Sequence, residues 1–276
     1  MSRSLIYRPI AIFSLIICFG FAFDQNNQTE YCSAKSVAMQ NPNLETDNKP
    51  FDVYWGLLER IDPERALNDL LKLTGEEEIC TDSGCFSIIN RYTGSEGLQW
   101  AKDYVYEELI HLGYTVEIQD WSRYGYTDQN LIAVKPGLAT PDEAIILIAH
   151  LDGVGSDGGR YPAADDNATG VVDLLELSRI LSGYSFNRTI ILLFSTGEEQ
   201  GTFGVQSYLD QLTDEELSEI QYAINIDMVG YDSNLDQIME LWHGDHEPSL
   251  VLTQMMNDTI EEYLLHLTPI LAVGCG

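Results

Sequence analysis

The stretch that most constrains this chain is Ala144–Asp152, AIILIAHLD. Ala144 to Ala149 are apolar without a break. Such a run, lacking polar alternation, reads as a strand buried on both faces inside a parallel sheet. Sheets of that kind carry their chemistry at the carboxyl ends of the strands, which is where His150 and Asp152 stand. Thr189–Phe194 is a second buried run and Ala223–Ile226 a shorter third. Between the first two, Val171, Leu174, Leu175 and Leu181 recur at helical spacing. Upstream, Leu98, Ala101, Val105, Leu109 and Ile110 mark one face of a helix that Gly113 stops. Tyr114–Asp120 and Leu131–Lys135 read as strands, and Glu59–Leu73 as a helix with Pro63 near a start. The expected fold class is α/β, a mixed and mostly parallel sheet covered by helices on both faces.

The net charge of −30 excludes a nucleic-acid partner, because nothing in such a chain neutralises phosphates. Its ordinary consequence is solubility. At the N-terminus, Arg3 and Arg8 precede an apolar run from Ile10 to Phe23, with small residues at Gly20 and Ala22. This reads as an export signal over residues 1–23. The run is short for a membrane span, so an uncleaved anchor is the weaker reading. The expectation is a secreted or extracytoplasmic protein with no stable membrane association after cleavage. Residues 24–88 read as an N-terminal extension or pro-segment with a polar leader, and 89–276 as the main domain. Cys32, Cys80, Cys85 and Cys275 lie beyond the signal. Four cysteines in an exported chain leave three pairings open. Cys80 and Cys85 bracket the turn-rich TDSG, and a local bridge is the preferred reading.

The candidate chemistry lies after the buried runs. The loop GVGSDGGRYP has a phosphate cradle's composition but not its spacing or lysine. Asp165, Asp166 and Asn167 precede the helix at Ala168, where an acid would ordinarily serve as a cap. Glu198 and Glu199 sit between Gly197 and Gly201, which points to close backbone approach. Asp227 follows the third run. One histidine and several carboxylates, each at an element boundary, suit zinc. One carboxylate can bridge two such ions, and an acid beside a ligand can act on activated water. In an extended segment the neighbours Glu198 and Glu199 would face opposite ways.

The segments AHLD, ADDNATG, GEEQGTFG and NIDMVGYD occur in that order. Through them residues from about Ile89 onward resemble the secreted co-catalytic dizinc aminopeptidases, whose relatives include glutamate carboxypeptidase II, the transferrin-receptor ectodomain and glutaminyl cyclase. The resemblance implies a zinc-exopeptidase fold, peptide substrates and two zinc ions per full-length chain. It implies that His150 and Asp227 bind one zinc, Glu199 the other, and that Asp166 bridges them through a loop with a cis Asp166–Asn167 peptide. Asp152 would orient His150, and Glu198 would be the general base and acid.

The family also uses a histidine near its end, and here the sequence stops at LTPILAVGCG. His243, His246 and His266 are the downstream histidines, but WHGDHEP and LLHLTP do not match that segment. The expectation is therefore a chain cut just before the last ligand. Two alternatives share the fold: a glutaminyl-cyclase-like single-zinc transferase and a non-catalytic binding module. Residue specificity and oligomeric state have no signal in the sequence.

Overall fold

The computed structural model describes residues 53–155, 159–263 and 267–274. They divide into two compact units, Asp62–Gln237 and a second formed by 53–61 with 238–274. Helix α1 (Val53–Leu58) opens the second unit, and helix α2 (Pro63–Leu73) opens the first. Within the stretch read as helical, Glu59–Leu73, the helix starts at Pro63 as expected, and residues 59–62 lie outside it. Asp62 caps α2, accepting from the Glu64 and Arg65 amides, and Pro63 lacks the amide that would continue a helix from before it.

Strands β1 (Ile79–Thr81) and β2 (Gly84–Phe86) form a hairpin in which Cys80 and Cys85 face each other and are disulfide-bonded. Helix α3 (Glu96–His111) starts at the Ser95 cap. It buries Leu98, Ala101, Val105 and Leu109, while Ile110 is exposed. Gly113 follows its end at φ 85°, a conformation that glycine adopts freely.

Then come β3 (Thr115–Arg123), β4 (Tyr126–Lys135), β5 (Thr140–His150), a wide turn (Ala164–Thr169), α4 (Gly170–Ser182), β6 (Arg188–Ser195), α5 (Phe203–Gln211), α6 (Asp214–Glu219) and β7 (Ile220–Asn225). The strands make one mixed sheet in the order β3-β4-β6-β5-β7. β5 pairs in parallel with β6 and β7, while β4 pairs antiparallel with β3 and β6. Strand β4 begins at Tyr126, well before the apolar run that marks it in the sequence. Its first residues need only a ladder partner in β3, not burial.

Helices cover both faces of the sheet. On one, Ile132, Ile146 and Leu193 pack with Tyr208 of α5. Their neighbours Leu147 and Leu192 point the other way, where α4 packs on β5. Helix α4 is buried almost throughout. Glu176 accepts from Arg65 of α2 at 2.5 Å and from the Asp62 amide at 2.8 Å. Arg179 donates to Asp69 of α2 at 2.5 Å and to Glu108 of α3 at 2.6 Å. Residues 62–73 are therefore built into the unit that carries the sheet.

In the second unit, β8 (Ile238–His243) and β9 (Thr268–Val273) pair in parallel beneath α7 (Glu247–Glu262). Trp55 of α1 stacks on Tyr263 there. His243 ends β8 and His246 precedes α7. The expected export signal (residues 1–23), Cys32, His266 and Cys275 lie outside the described residues. Among those described, no helix is long and apolar enough to cross a membrane.

Candidate metal centre

Parallel pairing in register brings the ends of β5, β6 and β7 to one edge. His150 pairs with Ser195, the last residue of β6, and Ile148 with Asn225, the last of β7. Glu198, Glu199 and Asp227 therefore emerge beside His150. Asp166 arrives from the wide turn before α4. His150 Nε2 lies 3.1 Å from Asp166 Oδ1 and 3.4 Å from Asp227 Oδ1. One ligand atom from each of these three residues falls within 4.8 Å of the others. Glu199 stands outside that set of three, though Asp166 acts on it electrostatically.

Asp166 does not cap α4. The Gly170 amide donates instead to Asn167 Oδ1 at 3.0 Å. The Asn167 amide nitrogen donates to the Ile226 carbonyl at 2.8 Å, and Asp165 accepts from the Gly230 amide at 2.8 Å. Asp165 and Asn167 thus tie the segment around Asp166 to the one around Asp227. The two segments meet so tightly that a Cβ on Gly170 would collide with the Ile226 carbonyl and Asn167. The Asp166–Asn167 peptide is cis, as the resemblance implies.

Asp152 contacts His150, though mainly through its main chain. His150 Nδ1 is 3.1 Å from the Asp152 carbonyl oxygen and 3.6 Å from its carboxylate, the latter beyond hydrogen-bond length. The carboxylate instead accepts from the amides of Glu198 and Glu199, both at 3.2 Å, and from Thr93 Oγ1 at 3.3 Å. Glu198 and Glu199 lie in a tight turn rather than an extended segment: the Gly201 and Thr202 amides both return to the Glu198 carbonyl at 2.8 Å. Gly197, at φ 74°, lets that turn sit against Trp121, whose ring a Cβ would meet at 2.5 Å.

Behind the centre lies a residue that the sequence pattern did not single out. Arg91, fully buried, donates to the carbonyls of Leu73, Leu151, Pro162 and Ala163. Thr93 was missed likewise. Neither belongs to a periodic pattern, because the carbonyls that Arg91 meets and the Asp152 carboxylate that Thr93 meets are brought close only by the fold.

The carboxylates crowd one another with little positive charge between them. Burial raises Asp166 and Glu198 above the usual carboxylate range, and burial with the charge of Asp166 pushes Glu199 up to about 7. Burial by itself lowers His150, but Asp152 and Asp227 outweigh it and push its pKa up to about 10. The cluster thus holds protons where a divalent cation would displace them. His150 Nε2 and Glu199 Oε1 are both buried without a hydrogen-bond partner among the described residues. Orphaned buried polar atoms are rare and call for an explanation. One imidazole and several carboxylates with spare lone pairs form a donor set that fits zinc.

A family model described as peptidase family M28 matches residues 130–268. Leupeptin-inactivating enzyme 1 of Streptomyces exfoliatus is 33% identical over 143 residues, which are 51% of this chain and 32% of that protein. Leucine aminopeptidase 2 of Arthroderma otae is 29% identical over 153 residues, 55% of this chain and 30% of that one. The chain thus spans about a third of the length of these curated relatives. LapB from Legionella pneumophila matches structurally with a TM-score of 0.63 at 20% identity, over 92% of this chain and 67% of that one. Macrostomum lignano glutaminyl cyclase gives 0.63 at 17% identity, over 84% and 78%. At such identities the likeness establishes the fold.

Proposed function

The chain belongs to peptidase family M28, and from that premise we propose that it is a zinc-dependent exopeptidase removing N-terminal residues from peptides. The observation that carries the reading is the convergence of His150, Asp166 and Asp227 at the sheet edge, with His150 Nε2 and Glu199 Oε1 both buried and unpartnered. The names of the relatives, a leupeptin-inactivating enzyme and a leucine aminopeptidase, support the same activity.

In this reading His150 and Asp227 would hold one zinc and Glu199 a second, with Asp166 between them as a shared ligand. When bound, the metal supplies Lewis acidity toward the scissile carbonyl and toward water. A Glu198 carboxylate oxygen takes the proton from the attacking water and delivers it to the leaving amine nitrogen. Asp152 holds the Glu198–Glu199 turn through their amides, and so sets where both side chains start. The N-terminal signal and the Cys80–Cys85 bridge support an exported protein, since disulfides persist in oxidising compartments.

The test is a zinc titration combined with a substrate panel. Two equivalents of zinc are expected per full-length chain, with cleavage of leucyl anilide when its amine is free and none when it is acetylated. A single equivalent, as a cyclase-like site would take, or cleavage from the carboxyl end, would overturn the proposal.

A further inference from the structure

We infer that Arg91 is a positioning residue for the metal centre, fixing the spacing between the loops that deliver His150 and Asp166. The inference rests on the metal-centre reading above and adds to it a residue that belongs to neither loop. Arg91 Nε donates to the Leu151 carbonyl at 2.8 Å, between His150 and Asp152. Its Nη1 reaches the Pro162 carbonyl at 3.0 Å, and its Nη2 reaches that of Ala163 at 2.9 Å. Nη1 also donates to the carbonyl of Leu73, the last residue of α2. The main chain closes the arrangement, because the Gly153 amide donates to the Arg91 carbonyl at 3.1 Å. One flat guanidinium therefore spans the exit from β5 and the approach to Asp166.

Two further observations leave those loops no slack. A Cβ on Gly153 would collide with the Cβ of Ala163, so the loops touch where Arg91 joins them. Ala163 is held at φ 46°, a left-handed conformation that a residue with a side chain rarely adopts. The surroundings impose that turn, and the guanidinium binds the carbonyls of both Pro162 and Ala163 within it. On the far side of Asp166, Asn167 is tied to Ile226. Asp166 is thus fixed from Arg91 on one flank and from Asn167 on the other.

The acceptors are all carbonyls, so the fork geometry of the side chain matters as well as its charge. A lysine keeps the charge but offers a single nitrogen, which cannot bridge carbonyls in three segments.

The experiment measures zinc affinity of the purified protein by competition with a chelating dye, for wild type, Arg91→Lys and Arg179→Met. Arg179 ties α4 to α2 and α3 by carboxylates and serves as the control for simple loss of stability. Arg91→Lys should weaken zinc binding by about 10–100-fold, the range for residues that orient metal ligands. Arg179→Met should leave the affinity unchanged even where its melting temperature falls as far. Wild-type affinity in a folded Arg91→Lys protein overturns the inference, as does an equal loss in Arg179→Met. If Arg91→Lys does not fold, Gly153→Ala decides the matter by forcing the loops apart with Arg91 in place. It should bind zinc more weakly, and unchanged affinity overturns the inference. Wild-type protein that takes up no zinc would instead sink the metal-centre reading beneath it.

Discussion

Helix α4 joins two polar clusters built on opposite rules. Around Glu176 and Arg179, toward its C-terminal end, every buried charge meets a partner of opposite sign: Arg65, Asp69 and Glu108 complete the set. Burial alone lowers the Arg179 pKa, but Asp69 and Glu108 outweigh it and hold it above its usual value. At the N-terminal end, the acids outnumber their partners. Four side-chain atoms among the described residues are buried and unpartnered: His150 Nε2, Ser195 Oγ, Glu199 Oε1 and Asp173 Oδ2. They come from the ends of β5 and β6, the turn after β6 and the first turn of α4 itself. Arg91, behind that end, meets only carbonyls, and burial lowers its pKa to about 10. The contrast teaches where this unit spends its polar groups. One end is satisfied and holds helices together; the other is left short of positive charge, which suits a cation.

The sharpest break of the comparison comes at the unsatisfied end. Glu198→Gln should reduce turnover by about 10²–10⁴, the usual contribution of a general acid–base group. Zinc stoichiometry and melting temperature should stay as in wild type. Loss of zinc along with turnover would make Glu198 a ligand and defeat its assignment. At the satisfied end, Arg179→Met takes the cation from Asp69, whose side chain is 2% exposed, while Glu176 keeps Arg65. Leaving such a charge unpaired should cost about 3–5 kcal/mol of stability, read by urea denaturation. A change below about 1 kcal/mol, the level of an exposed ion pair, would show that the lock contributes little.

The smallest effect is expected at Asp173, in the first turn of α4. Burial and the Glu176 charge raise its pKa well above the ordinary 3.8. The native state therefore binds this proton more tightly than the unfolded chain does. The stability so gained is complete below pH 3.8 and is lost as pH rises toward the folded pKa, by at most about 1.4 kcal/mol per pH unit. Asp173→Asn removes the titration and should flatten that slope. Denaturation curves at a series of pH values decide it, and parallel slopes for the two proteins would count against a titrating Asp173.

The sequence carried the sheet's centre and the three residues that converge at its edge, His150, Asp166 and Asp227, plainly. Ala144–Ala149 and Thr189–Phe194 are apolar because β5 and β6 are covered on both faces, and acids at such strand ends are conspicuous. What it did not carry depends on partners distant in the chain. Strand β4 was legible only in its buried half. Glu198 and Glu199 read as extended, whereas hydrogen bonds back to Glu198 fold them into a turn. Asp152 was expected to orient His150, and it meets the ring through its carbonyl, while its carboxylate accepts from two backbone amides. Arg91 left no signal, since an isolated arginine between Asn90 and Tyr92 looks like any surface residue until its carbonyl partners are assembled.

The loops tied by Arg91 bear on how such a protein diverges. The Asn90 side chain donates to the Gly159 carbonyl, the Tyr161 amide to the Ile89 carbonyl, and Gly153 to Arg91. The stretch from Val154 to Arg160 is therefore anchored at both of its ends. Those anchors separate it from His150 on one side and from Asp166 on the other. Changes between those anchors are expected to alter the pocket beside Glu199, which Val154 and Gly155 line, and not the placement of His150, Asp166 and Asp227.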